Sequence, residues 1–127
     1  MTFTPVLKLE HADSRGEIYS ILLPDGHELM LLHSVPGVLR GGHSHTCDER
    51  ILMLSGAMRY YKMVDGKEQH SLLGGGDDSF NPAGQEHMGE FLEDSWLIEY
   101  KLAKVGEWTQ ENYAPFRARV NASVKPA

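Results

Sequence analysis

Cysteine is almost missing from this chain. Cys47 is the single thiol in 127 residues. No intrachain disulfide can form, and a reducing compartment, the cytoplasm, is the expected location. Basic residues are outnumbered: 12 Lys and Arg stand against 18 Asp and Glu, for a net charge of −6 with histidine neutral. No basic stripe runs along the sequence, which argues against nucleic acid as a partner. Long apolar runs are absent too, and none approaches the ~20 residues that a membrane-spanning helix needs. The opening segment MTFTPVLKLEHADSRGE lacks the basic and then apolar pattern of a secretory signal. Before residue 105 no stretch carries a helical period, and there is no internal repeat, linker or low-complexity tract.

What remains is the composition of a folded protein, 41% hydrophobic and 24% charged. Its length suits a single domain over residues 1–127, with a barrel core at about 17–103 and a tail at 105–127. Short strand-like runs alternate with turn residues. Val6 to Leu9 and Glu17 to Leu23 read as strands separated by a polar turn, His11 to Gly16. Pro24-Asp25-Gly26 then turns the chain into Glu28 to Val35, giving an antiparallel hairpin. Arg50 to Leu54 follows, and Ala57 to Val64 and Lys67 to Leu73 flank Asp65-Gly66, a strong hairpin signal. His87 to Leu92 comes after the Asn81-Pro82-Ala83-Gly84 turn. Ser95 to Ala103 closes the series, with Trp96, Ile98, Tyr100 and Leu102 alternating against Leu97, Glu99 and Lys101. Punctuation at intervals of about 8–12 residues indicates an all-β sandwich or barrel. In the tail, Pro115 is placed to open a short helix through Val120, and Trp108, Tyr113 and Phe116 are suited to docking it on the barrel or on a second subunit.

The stretch GVLRGGHSHTCDERILMLSG, from Gly37 to Gly56, concentrates the chemistry. His43 and His45 share a face of a strand. Glu49 has the same parity, but its backbone would lie roughly 13 Å from that of His45 on a straight strand, at ~3.3 Å per residue. Metal–ligand bonds are only about 2.0–2.2 Å, so Thr46-Cys47-Asp48 must break the strand if all three are to meet. His87 is a fourth donor from a neighbouring strand. Cys47 is either a soft ligand competing with Glu49 or a small buried filler.

The same residues carry a resemblance. Gly37, five residues, His43-x-His45, three residues, Glu49, six residues and Gly56 resemble the first motif of the cupin superfamily. Gly76, five residues, Pro82-x-Gly84, two residues and His87 resemble the second, with Phe91 where that motif usually ends in Asn. The resemblance implies a double-stranded β-helix, or jelly-roll barrel, with His43, His45, Glu49 and His87 as metal ligands in its mouth. Imidazole suits Fe, Ni, Cu or Zn and the carboxylate also admits Mn, so the sequence selects only a divalent transition metal. Three nitrogens and one oxygen leave positions open for water or substrate.

These residues lead to a metal-dependent enzyme acting on a small polar molecule, with an oxygenase-type reaction first. Arg40 either holds a substrate carboxylate or sits on the rim. One of Tyr60 and Tyr61 faces inward, to pack or to supply a hydrogen bond, and His33 is either a buried structural histidine or an acid–base group. Two alternatives stand beside this. Asp13-Ser14-Arg15-Gly16 resembles the entry of cupin-type sugar-nucleotide isomerases and epimerases, and a non-catalytic ligand-binding module fits the same motifs. The family resemblance implies a homodimer. Metal binding requires neutral imidazoles, so affinity is expected to fall below a pH of about 6.5.

Overall fold

The computed structural model describes residues 3–124. Their elements, in order, are β1 (Lys8–Asp13), β2 (Gly16–Leu22), β3 (Glu28–Ser34), β4 (Leu39–His45), β5 (Glu49–Ser55), β6 (Ala57–Val64), β7 (Lys67–Gly74), β8 (Asp78–Asn81), β9 (His87–Phe91), β10 (Ser95–Lys101), β11 (Gln110–Asn112) and α1 (Ala114–Ser123). One sheet has the order β1-β2-β3-β10-β5-β8, the other β11-β4-β9-β6-β7, and all the strand pairings are antiparallel. Sequence neighbours β4 and β5 fall in opposite sheets, as do β9 and β10. The chain therefore crosses repeatedly between two facing layers, the jelly-roll solution to closing an antiparallel sheet. Leu32, Ile51, Met53 and Leu97 from the first sheet meet Met58, Tyr60 and Phe91 from the second in the interior. Among the described residues no helix is long and apolar enough to cross a membrane.

The hairpins form where turn chemistry requires them. Asp65 and Gly66 have φ values of 51° and 75°, the two positive angles of a type I′ turn, between Val64 and its partner Lys67. The segment expected as a polar turn, His11 to Gly16, is mostly strand instead. β1 continues to Asp13 with an irregularity between Leu9 and His11, and only Ser14-Arg15 turns. Ladder bonds to β2 outweigh the local turn preference, and Asp13 closes the corner by accepting from the Arg15 backbone N–H at 2.8 Å.

Two features position the site. In β4 the pairing with β9 runs Leu39↔Glu90, Arg40↔Gly89, Gly41↔Met88, then jumps to His43↔His87. Gly42 is the extra residue of a bulge, and Gly41 and Gly42 take φ values of 94° and 83°. One inserted residue inverts the alternation, so Arg40, three positions before His43, lines the same cavity as His43 and His45. In β10 the alternation is present, but the side carrying Leu97, Glu99 and Lys101 turns inward, with Trp96 stacked on Tyr19 and His33 outside.

The tail docks on its own barrel. α1 begins at Ala114, with Pro115 in its first turn, and buries Phe116 and Val120 against Tyr61 and Met88 on the outside of the second sheet. β11, not foreseen from the sequence, pairs with β4 so that Gln110 lies opposite His45 and Asn112 opposite His43.

Candidate metal centre

His43 and His45 project from the end of β4, and the chain breaks at Thr46-Cys47-Asp48 before β5 begins at Glu49, as the ligand spacing requires. Hydrogen bonds fix the corner. Asp48 Oδ1 accepts from the Ala83 backbone N–H at 2.9 Å, and the Gly84 N–H donates to the His45 carbonyl at 2.8 Å. The turn that opens the second motif is thereby tied to the first, and His87 arrives opposite His43.

Nitrogen atoms of His43, His45 and His87 all lie within 4.8 Å of one another. Glu49, fully buried, borders this group: Oε1 is 3.6 Å from His87 Nε2, and Oε2 is 3.7 Å from His45 Nδ1. His87 Nδ1 is 3.1 Å from the Gln85 carbonyl, a contact that places the ring proton there and leaves the Nε2 lone pair directed elsewhere. Two buried imidazole nitrogens at this point, His43 Nδ1 and His87 Nε2, make no hydrogen bond, and Glu49 Oε2 meets the Lys101 ammonium only at 3.4 Å. Unpaired buried polar atoms are costly, and two in one place fit a cation that would take up their lone pairs.

Burial pushes His43 down to about 2, and a proton there is further disfavoured by the neighbouring His87 and His45; burial pushes His45 down to about 4, helped by the Lys101 ammonium. Both imidazoles are thus neutral, the form that binds metal. For these two residues, protons compete only well below the value of about 6.5 expected for a free imidazole.

The surrounding shell comes from positions that spacing did not reveal. Asn81, at the end of β8, donates through Nδ2 to Glu49 Oε1 at 3.0 Å and to the Tyr60 hydroxyl at 2.6 Å. Tyr60 is the inward tyrosine. Burial, then the charge of Glu49, raises its pKa well above the ordinary phenol value, so it remains a neutral phenol. Lys101 Nζ stands 3.4 Å from Glu49 Oε2 and 3.8 Å from Glu99 Oε2. Burial lowers the lysine, but the two carboxylates outweigh it and hold it raised. Its ammonium lies 4.6 Å from the centroid of Trp108, whose ring meets His45 edge-on at 5.4 Å. Rather than docking the tail, Trp108 covers one side of the centre. Cys47 is half-buried outside the histidine group, and burial pushes its thiol up, so it remains a neutral thiol.

Of the other expected residues, Arg40 lines the cavity beside the histidines, and His33 does not join them. The His33 ring lies on the outer face of the first sheet, stacked on Trp96, with Nδ1 2.7 Å from Glu17 and Nε2 2.8 Å from Asp94. It has no path to the centre: Leu32 and Ser34 take the inward positions on either side of it. Phe91 is fully buried among the core side chains, where it packs the barrel interior.

No family model matches the chain, and no curated protein matches its sequence. Solved structures do match its fold. The capsular polysaccharide assembling protein CapF from Staphylococcus aureus is 25% identical with a TM-score of 0.66, over 79% of this chain and 31% of that one. Oxalate decarboxylase from Bacillus subtilis is 21% identical with a TM-score of 0.62, over 84% of this chain and 30% of that one. This chain thus spans about a third of the length of these neighbours. Strand order, facing antiparallel sheets and this likeness together give the chain the fold of the cupin superfamily, with a three-histidine cluster inside the barrel.

Proposed function

We propose that the protein is a metal-dependent enzyme of the cupin type, acting in the cytoplasm on a small polar molecule, with an oxygenase-type reaction. The observation that carries this reading is the convergence of three histidines beside the buried Glu49, with His43 Nδ1 and His87 Nε2 making no hydrogen bond and His43 and His45 lining a cavity of about 280 Å³. His43, His45, Glu49 and His87 would hold the ion. A bound divalent transition metal supplies Lewis acidity and, where it is redox-active, chemistry with O2. The protein's own groups do the rest. Asn81 orients Glu49, the Gln85 carbonyl sets the tautomer of His87, Trp108 limits water on one side, and the Tyr60 phenol borders the interior as a neutral hydrogen-bonding group. Manganese is the first metal to test, because Mn(II) centres are described for the oxalate decarboxylase that shares the fold.

Protein purified without added metal should contain about one transition-metal ion per chain by elemental analysis. Glu49→Gln should lower that occupancy, and unchanged occupancy would remove Glu49 from the ligand set. Oxygen uptake by the metal-loaded protein, screened with catechols, thiols, diketones and keto acids, then tests the reaction. A second reading, a sugar-nucleotide isomerase or epimerase, draws on Asp13-Ser14-Arg15-Gly16 and on the fold likeness to a capsular polysaccharide assembling protein. Full activity on a keto-sugar nucleotide in chelator, without oxygen uptake, would favour it; ligand binding without turnover would indicate a binding module.

The proposal includes a homodimer. The outer face of the first sheet carries the rows Tyr19–Leu31–Ile98–Leu52 and Ile21–Leu29–Tyr100 across paired strands, and no described element covers it.

A further inference from the structure

The Arg40 guanidinium is the most exacting group in the cavity. Only 7% of the residue is exposed, and no carboxylate among the described residues lies within ion-pair distance of it. The acids acting on it from further away are already committed: Asp13 pairs with Arg15 at 2.8 Å, Glu99 with Lys101 at 3.8 Å, and Glu17 with His33 at 2.7 Å. Its own hydrogen bonds go to neutral acceptors, Nε to Ser34 Oγ at 2.8 Å and Nη2 to the His33 carbonyl at 3.0 Å. Of five guanidinium donors two are used, and both protons of Nη1 have no partner among the described residues. Burial lowers Arg40 to about 10, so the group stays charged at neutral pH. A buried charge without a counter-charge is costly.

The other cations of the cavity are satisfied. Arg15 holds Asp13, Arg117 donates through Nη1 to the Gly41 carbonyl at 2.8 Å, and Lys101 faces Glu49. Arg40 and Arg117 have no acid of their own among the described residues, and of the two only Arg40 is buried, on the same wall as His43 and His45. The Nη1–Nη2 end presents two parallel donors, the geometry that matches a planar carboxylate. At ~30 Å³ for each water-sized group, the cavity admits a molecule of on the order of ten non-hydrogen atoms.

We infer that Arg40 is the anion-binding group of this cavity and that the substrate is a small carboxylic acid, its carboxylate on Arg40 and a second oxygen function turned toward the histidine cluster. The orientation toward the cluster rests on the metal-centre reading above; the carboxylate seat does not. Calorimetric titration of the purified full chain with pyruvate, with its neutral amide and with inorganic phosphate tests both parts, in chelator and with Mn(II). The acid should bind about ten- to a hundredfold more tightly than the amide, in chelator as well as with metal. That preference should vanish in Arg40→Gln and weaken in Arg40→Lys, while metal content stays at the wild-type level. Equal affinity for acid and amide in the wild type overturns the carboxylate seat without reference to any variant's folding. So does a preference that survives in folded Arg40→Gln, or tighter binding of phosphate than of pyruvate. If the preference holds in chelator but Mn(II) neither binds nor strengthens pyruvate binding, the seat stands and the metal reading fails.

Discussion

Gly42 occupies a position that a side chain cannot fill without cost. Its φ is +83°, and a Cβ there would lie 2.9 Å from Arg117 Cδ and 3.1 Å from the Arg117 backbone nitrogen. Gly42→Ala should therefore destabilise the fold by about 1–3 kcal/mol in urea unfolding. Because the bulge sets the facing of His43, metal content should fall as well, at temperatures where the variant remains folded. His33 makes a separate prediction. Hydrogen bonding to Glu17 raises its pKa, burial opposes, and Asp94 adds to the rise. A folded value above the unfolded value of about 6.5 means that protonated His33 stabilises the fold fully below that pH, and that the contribution disappears as pH rises through the folded value. The stability difference between wild type and His33→Gln, followed by urea unfolding, should shrink from weakly acidic to alkaline pH. A constant difference would show that the two carboxylates do not act through the charge.

The tail elements determine how the bulge is held. Phe116 and Val120, four residues apart on one side of α1, are buried on the second sheet. The Tyr113 N–H donates to the Gly42 carbonyl at 2.9 Å. Phe116→Ala should cost about 3–5 kcal/mol, and limited proteolysis should then release the tail before the barrel. If the tail stays protected, helix docking is not what Phe116 supplies. The helix was legible from Pro115 and the aromatic spacing, but β11 and β8, at three and four residues, are too short to show a period. In β10 the period was visible and the facing was not, because alternation does not say which side is inward. Apolar size favours Trp96, Ile98 and Tyr100. The inward side instead carries Glu99 and Lys101, which are tolerable inside because the Lys101 ammonium pairs with both Glu99 and Glu49. The same limit applies to the centre. His43, His45, Glu49 and His87 follow from spacing along the chain, whereas Asn81, Lys101 and Trp108 reach it from strands and loops whose separation in sequence carries no signal.

For the molecule as a whole, the two sheets differ in what covers them. α1 lies over the outside of the second, while the outside of the first leaves Leu52, Leu54 and Phe80 at 39%, 47% and 41% exposure beside the half-buried Leu29, Leu31 and Ile98. An exposed apolar face of this kind marks an interaction surface, and a two-fold dimer would use the same patch on both copies. Light scattering at micromolar concentration should give twice the 14.2 kDa chain mass. Ile98→Glu, at the centre of the row and away from the cavity, should give the single-chain mass with metal content and pyruvate affinity unchanged. If that variant remains dimeric, the copies meet elsewhere, and the exposed strand β1, with Leu9 54% exposed, becomes the next face to test. A monomeric wild type would remove the dimer itself and leave the centre intact, because every residue assigned to the centre comes from one chain.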